Sequence, residues 1–311
     1  MCIRDSHDTA RFDQTDLQLK LKLKKQTLII PSSKTFTLKK DQSVILPFNL
    51  SMEGALLKYS TTQLLAKVEE KNAVHYFFFA PEGLRTEYSF DKSTLSSGKE
   101  FYTPKPGLKS TFSITVKNGK TLKITTLTRQ QALNTTKVNN HILITEATVL
   151  PEKEQCTLLS LGKTQISYAL YTANKGWKEE TIEVQPVDVK ADWKKVGTRR
   201  MTVKIDQPDV PQVNDYFLRV NYVADVAMAF IGGYLVLDHY YYGIPWTIGL
   251  RRFKNELKNE YLSFYFRPLR KDAPFIGDLP VEAIPDFSQK DADCLVRSVD
   301  VIPEYKAIVN I

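Results

Sequence analysis

The fifteen residues HYYYGIPWTIGLRRF, at 239–253, bring together three consecutive tyrosines, a tryptophan, a Gly-Ile-Pro turn and two arginines. Flat aromatic faces stack on the apolar C–H faces of sugars, while a carboxylate or guanidinium can bind hydroxyls. Trp246, Tyr241, Asp238 and Arg252 are therefore candidate carbohydrate contacts, with Tyr240 and Tyr242 as lesser platforms. The same residues also have a packing interpretation. Strand pleating sends Tyr240 and Tyr242 to one side and Tyr241 to the other, so at least one ring is expected to enter the core. Trp246, directly after Pro245, can equally plug a hairpin from beneath.

Other chemistry finds less support. Glycoside hydrolysis needs two carboxylates held roughly 5 to 10 Å apart. The chain has 35 acidic residues, but none sits in a recognisable strand-end motif. There is no GxSxG, phosphate-binding glycine loop or HExxH pattern, and no catalytic residue is assigned. The four histidines are scattered, and Cys2, Cys156 and Cys294 lie far apart without a CxxC pair. Neither a metal site nor a disulfide framework is indicated, and no cofactor is expected. A net charge of +8 would suit a polyanion, but the lysines are spread along strands instead of forming a block, so nucleic acid is not an expected partner. The apolar segments between Tyr216 and Gly249 fall short of the roughly eighteen uninterrupted apolar residues of a spanning helix, so no membrane partner is expected.

The elements that must hold these residues are strands. Leu17, Leu19, Leu21 and Leu23 alternate with polar residues, predicting one strand with a buried face and a lysine-rich edge. FSITVKNGKTLKITTL at 112–127 predicts a hairpin with a type I′ turn at Asn118-Gly119. Thr128 followed by Gln131 forms a capping box for a helix of about two turns. HILITEATVL at 141–150 returns to strand, and HYFFFAPEGL at 75–84 is an aromatic strand feeding a turn. Further strands are expected over 163–173 and 198–205, from Asp215 to Tyr222, and on either side of Gly232-Gly233. No regular alternation of strands with long helices occurs, so the fold class is all-β.

A chain of 311 residues with 42% hydrophobic content can bury two modest cores. MCIRDSHDTA lacks the apolar segment of a secretion signal, and residues 1–10 read as a non-native or disordered leader, with native sequence from near Arg11 and an unknown length of protein before it. The charged Pro151-Glu152-Lys153-Glu154 interrupts the strand pattern, so two domains are expected, over 11–150 with the short helix and over 151–311. The alternating apolar residues at the end of SVDVIPEYKAIVNI predict a terminal strand docked in a sheet.

VADVAMAFIGGYLVLDHYYYGIPWTIGLRRF has the outline of strand, glycine hairpin, strand and aromatic turn, and it resembles the galactose-binding-like jelly-roll domains appended to glycosidases. Together with LPFNLSMEGALLKYSTTQLL, YFFFAPEG, LTRQQALN and YFRPLRKDAPF, it is similar to the region after the catalytic barrel in bacterial β-galactosidases of glycoside hydrolase family 35. The similarity runs from Phe12 to the C-terminus through the character and order of segments. It implies two β-sandwich or jelly-roll-like domains, the second galactose-binding-like. It also implies a parent enzyme, secreted or periplasmic, that hydrolyses terminal β-galactosides through two barrel glutamates, neither of which this chain inherits. The implied partners are a preceding catalytic barrel and β-galactoside-containing glycans. Family 2 glycosidases are near neighbours. A stand-alone carbohydrate-binding β-sandwich is the main alternative, and a structural or adhesion module is a third.

Overall fold

A computed structural model describes residues 12–24 and 27–311. The leader expected at 1–10 lies outside the described residues. The chain is all-β, with multiple antiparallel sheets in two regions. Among the described residues, the α-helix Arg129–Leu133 is five residues long, shorter than the two turns expected. Among the described residues, no helix is long and apolar enough to cross a membrane. The described residues form two compact units, one from those up to 146 and from 167–180 with Ile311, the other from 147–166 and 181–310.

The first unit is layered around a five-stranded sheet in the order Leu95–Ser97, Thr111–Val116, Thr121–Leu127, Ala73–Phe79, Gln63–Glu69. Thr121–Leu127 and Ala73–Phe79 run parallel, with Ile124 opposite Tyr76. Val74, Tyr76 and Phe78 face a core shared with Met52, Leu57, Tyr88 and Phe90 of a four-stranded sheet. Phe77 faces the other way, into a core with Ile142, Ile144 and Tyr171 of a further sheet. Both faces of Ala73–Phe79 are therefore covered, which is why its sequence is a continuous apolar and aromatic run without alternation.

The second unit packs two five-stranded sheets face to face. One runs Thr148–Pro151, Gln155–Leu161, Leu295–Asn310, Val213–Val223, Trp246–Gly249. The other runs Ala191–Gly197, Arg200–Ile205, Leu262–Arg267, Val226–Ile231, Tyr234–Tyr240. Leu218, Val220, Tyr222 and Ile248 of the first meet Met201, Val203, Ala229 and Phe264 of the second in one core. The expected C-terminal strand is present as Leu295–Asn310, the sixteen-residue centre of its sheet.

Three local expectations are corrected. The leucine-rich segment is two strands, Gln14–Leu17 and Leu19–Lys22, each in a two-stranded ribbon. Asp16 takes φ +55° and the register shifts between Gln14 and Leu17, so the pleat cannot continue. A two-stranded ribbon buries little, and Leu19 and Leu23 remain 44% and 39% exposed. The segment 141–150 breaks at Glu146-Ala147 into His141–Thr145 and Thr148–Pro151, which join different sheets. The hairpin at Asn118-Gly119 forms, but not with a type I′ turn. Only Gly119, at φ +86°, takes positive φ, and its N–H donates to Val116 O at 2.9 Å. This is a type I turn closed by a left-handed glycine. Asn118 instead donates through Nδ2 to Glu53 O at 2.8 Å and accepts from Lys120 N at 3.0 Å.

Candidate functional site

The aromatic turn lies entirely in the second unit. Gly232 and Gly233, at φ +55° and +85°, form the two-residue hairpin that pairs Ile231 with Tyr234. The returning strand Tyr234–Tyr240 is at the edge of its sheet. Gly243 is required where the chain then turns: its φ is +92°, and a Cβ there would lie 2.6 Å from the Cβ of Ala283. This close approach seats Tyr241, whose hydroxyl donates to Ala283 O at 2.8 Å.

Tyr241 and Trp246 are brought together, but inside the core, at 4% and 6% exposure. The Trp246 ring lies parallel to His239 with centroids 5.3 Å apart and meets Phe264 edge-on at 5.8 Å. Tyr222 completes the cluster, 5.7 Å from Tyr241 and bonded through its hydroxyl to His239 Nδ1 at 2.7 Å. Burial lowers the His239 pKa, against the opposing charge of Asp238. Of the two roles the sequence left open for these rings, packing is the one they occupy, because both are buried in the core of the second unit. Asp238 and Arg252 are exposed. The Arg252 guanidinium sits 4.9 Å over the Phe253 ring. Among the described residues, no hydrogen bond or ring contact joins Asp238 or Arg252 to the buried pair. The exposed rings of this segment are Tyr240 and Tyr242, 70% and 50% accessible.

A second constellation, in the first unit, escaped sequence reading. His75 points from Ala73–Phe79 to the same side as Phe77, stacked on it at 4.2 Å. Its Nδ1 lies 2.6 Å from Tyr171 Oη and its Nε2 lies 2.7 Å from Thr125 Oγ1. Tyr171 donates to the Glu70 carboxylate, which also receives Lys123 Nζ at 2.6 Å. These bonds fix every proton. Tyr171 gives its hydrogen to Glu70, so it accepts from Nδ1–H of a neutral His75, and Nε2 accepts from Thr125. Burial pushes His75 down to about 4 against the attraction of Glu70. For Glu70 burial is the largest influence and acts upward, yet the bonds from Lys123 and Tyr171 outweigh it and leave the carboxyl lowered.

The acid, tyrosine, histidine and hydroxyl in line resemble hydrolytic machinery, but Thr125 is fully buried and His75 nearly so. Substrate cannot reach them, and the chain of bonds ties sheets together. The sequence signal was one histidine inside a run of aromatic residues, a position that demands partners from other strands. Elsewhere, Arg267 is paired with Asp225, Arg270 with Asp272 at 2.8 Å, and Lys271 with Asp291. Among the described residues, no group of three or more His, Cys, Asp or Glu is placed to hold a metal.

Residues 2–149 match the family model for beta-galactosidase, domain 2. A β-galactosidase domain 2 is thus present in this chain. Its matched span includes the five-stranded central sheet, the four-stranded sheet facing it and the capped helix Arg129–Leu133. Of the hydrogen-bond chain, His75, Glu70, Lys123 and Thr125 fall inside the domain 2 match, and Tyr171 falls beyond it. No curated protein sequence matches the chain.

Proposed function

We propose that this chain is the non-catalytic β portion of a β-galactosidase of glycoside hydrolase family 35, supporting a catalytic barrel in the hydrolysis of terminal β-galactosides. The match of residues 2–149 to β-galactosidase domain 2 carries this reading. The two-sheet second unit is compatible with a galactose-binding-like jelly roll. Further support comes from apolar side chains that the first unit leaves in solvent, among them Ile45, Leu64 and Leu133. Leu133 also lines a recess of about 440 Å³ with Leu65 and Phe79. A β domain made to lie against a barrel needs such surface.

The test is complementation. The purified chain is expected to leave a nitrophenyl β-galactoside intact. Expressed together with a family 35 barrel encoded upstream of Arg11 in the source DNA, it is expected to keep that barrel soluble and active. A stop codon and a start site directly upstream of Arg11, with monodisperse elution of the isolated chain, would overturn the reading. In that case the exposed Tyr240 and Tyr242 favour a stand-alone carbohydrate-binding β protein, tested by titration with β-galactoside oligosaccharides.

A further inference from the structure

In the second unit, the proline-rich crossing QPDVPQVND folds over the start of strand Val213–Val223 and leaves a cavity of about 190 Å³. Asp209, Asn214, Asp215, Arg251, Lys254 and Lys306 supply its polar lining. A shallower recess beside it is formed by Asp215, Gly249, Arg251 and Arg252, so the two share Asp215 and Arg251. Arg252, singled out by the sequence as a sugar contact, therefore lies next to this cavity and not with Trp246.

The groups here are held in place but not used up. Asp215 Oδ1 accepts from Tyr216 N and Arg251 N, both at 2.7 Å. Among the described residues, its Oδ2 has no protein donor. A Cβ on residue 249 would lie 3.0 Å from that oxygen, so glycine leaves it uncovered. Asn214 Oδ1 fixes the Arg251 guanidinium through Nη1 at 2.7 Å, leaving its other N–H groups available, while Asn214 Nδ2 is given to Glu304 at 2.5 Å. Lys254 pairs with Asp209 at 3.2 Å. Among the described residues, the Arg252 guanidinium has no hydrogen-bond or ion-pair partner and sits over the Phe253 ring.

Two guanidiniums with free donors suit an oxyanion, because a guanidinium fork matches carboxylate and sulfate oxygens. The free carboxylate oxygen between them repels a bare anion and calls for a hydroxyl. An anionic sugar presents both together. We infer that this cleft binds a saccharide carrying a carboxylate or a sulfate ester, with its charge on Arg251 and Arg252 and a neighbouring hydroxyl on Asp215. The inference does not depend on the catalytic parentage of the chain.

Calorimetric titration of the full chain tests it with four probes: digalacturonate, a sulfated galactose disaccharide, neutral galactobiose and inorganic sulfate. Saturable binding of either acidic disaccharide, at least tenfold tighter than galactobiose or sulfate, is the expected result, and the acidic probe that binds identifies the anion. Arg252→Gln and Arg251→Gln should each weaken it about tenfold, the loss of one charge-assisted contact. Asp215→Asn should weaken the sugar while tightening inorganic sulfate, from which it removes a repelling charge, and Lys117→Gln, on the first unit's hairpin turn, should change nothing. Among the described residues, Arg252 makes no side-chain hydrogen bond or ion pair, so its variant separates binding from folding, with near-ultraviolet circular dichroism as the check. Equal binding of galactobiose, equal binding of sulfate, or no saturable heat from either acidic sugar would overturn the inference.

Discussion

The two units solve the burial of strands differently. In the first, the central sheet is covered on both faces, so every side chain of Ala73–Phe79 must be apolar or fully partnered. His75 meets that demand through four other residues drawn from separate strands and a loop. In the second, each sheet has one buried face, and the core is closed by aromatic packing around Trp246 and Tyr222. Stability in the first unit is therefore tied to protonation, whereas in the second it is tied to ring volume.

Truncating the rings should produce the largest effects and tests whether the two cores are comparably tight. Trp246→Ala and Phe77→Ala are each expected to cost about 3–5 kcal/mol, read as lower urea midpoints of their own units. If Trp246→Ala left the midpoint unchanged, the ring would not be the packing element its burial indicates.

The contrast sharpens with pH. His75 is neutral when folded and titrates at about 4, below its ordinary 6.5. The unfolded chain therefore binds the extra proton first. The stability due to neutral His75 is complete above about pH 6.5 and is lost as pH falls toward 4, by up to about 3 kcal/mol. The lowered Glu70 carboxyl adds a separate loss below its ordinary range. Urea midpoints measured from pH 7.5 to 4.5 should fall for the first unit, and His75→Gln should flatten that slope while lowering stability at neutral pH. An identical slope in wild type and variant would remove His75 from this role.

The smallest effect is local to the first unit. The capping box in which Thr128 Oγ1 accepts from Gln131 N at 3.1 Å and Gln131 Oε1 accepts from Thr128 N at 3.0 Å closes a one-turn helix. Thr128→Ala is expected to cost about 1 kcal/mol, measured by the same denaturation. A loss comparable to that of Phe77→Ala would mean that the helix anchors the whole layer.

Sequence-local physics explains what could be read in advance. The capping box involves residues three apart, and the Gly232-Gly233 hairpin needs positive φ at two adjacent glycines, so both were legible. The all-β class follows from period-two alternation and turn residues repeated along the chain. The Asn118-Gly119 turn was half legible: a glycine fixed the reversal, but Glu53, distant in sequence, took the Asn118 amide and favoured the type I form.

What the amino-acid order alone determined was which segments extend, where they reverse and where the helix begins, because these depend on backbone sterics and neighbours within a few residues. Only the tertiary structure decided which faces are covered. It placed Trp246 and Tyr241 inside and Tyr240 and Tyr242 outside, moved Arg252 beside Asp215, and assembled His75 with Tyr171, Glu70, Lys123 and Thr125. Each of these outcomes depends on strands far apart in sequence, because burial and hydrogen-bond satisfaction belong to packed layers and not to a single segment.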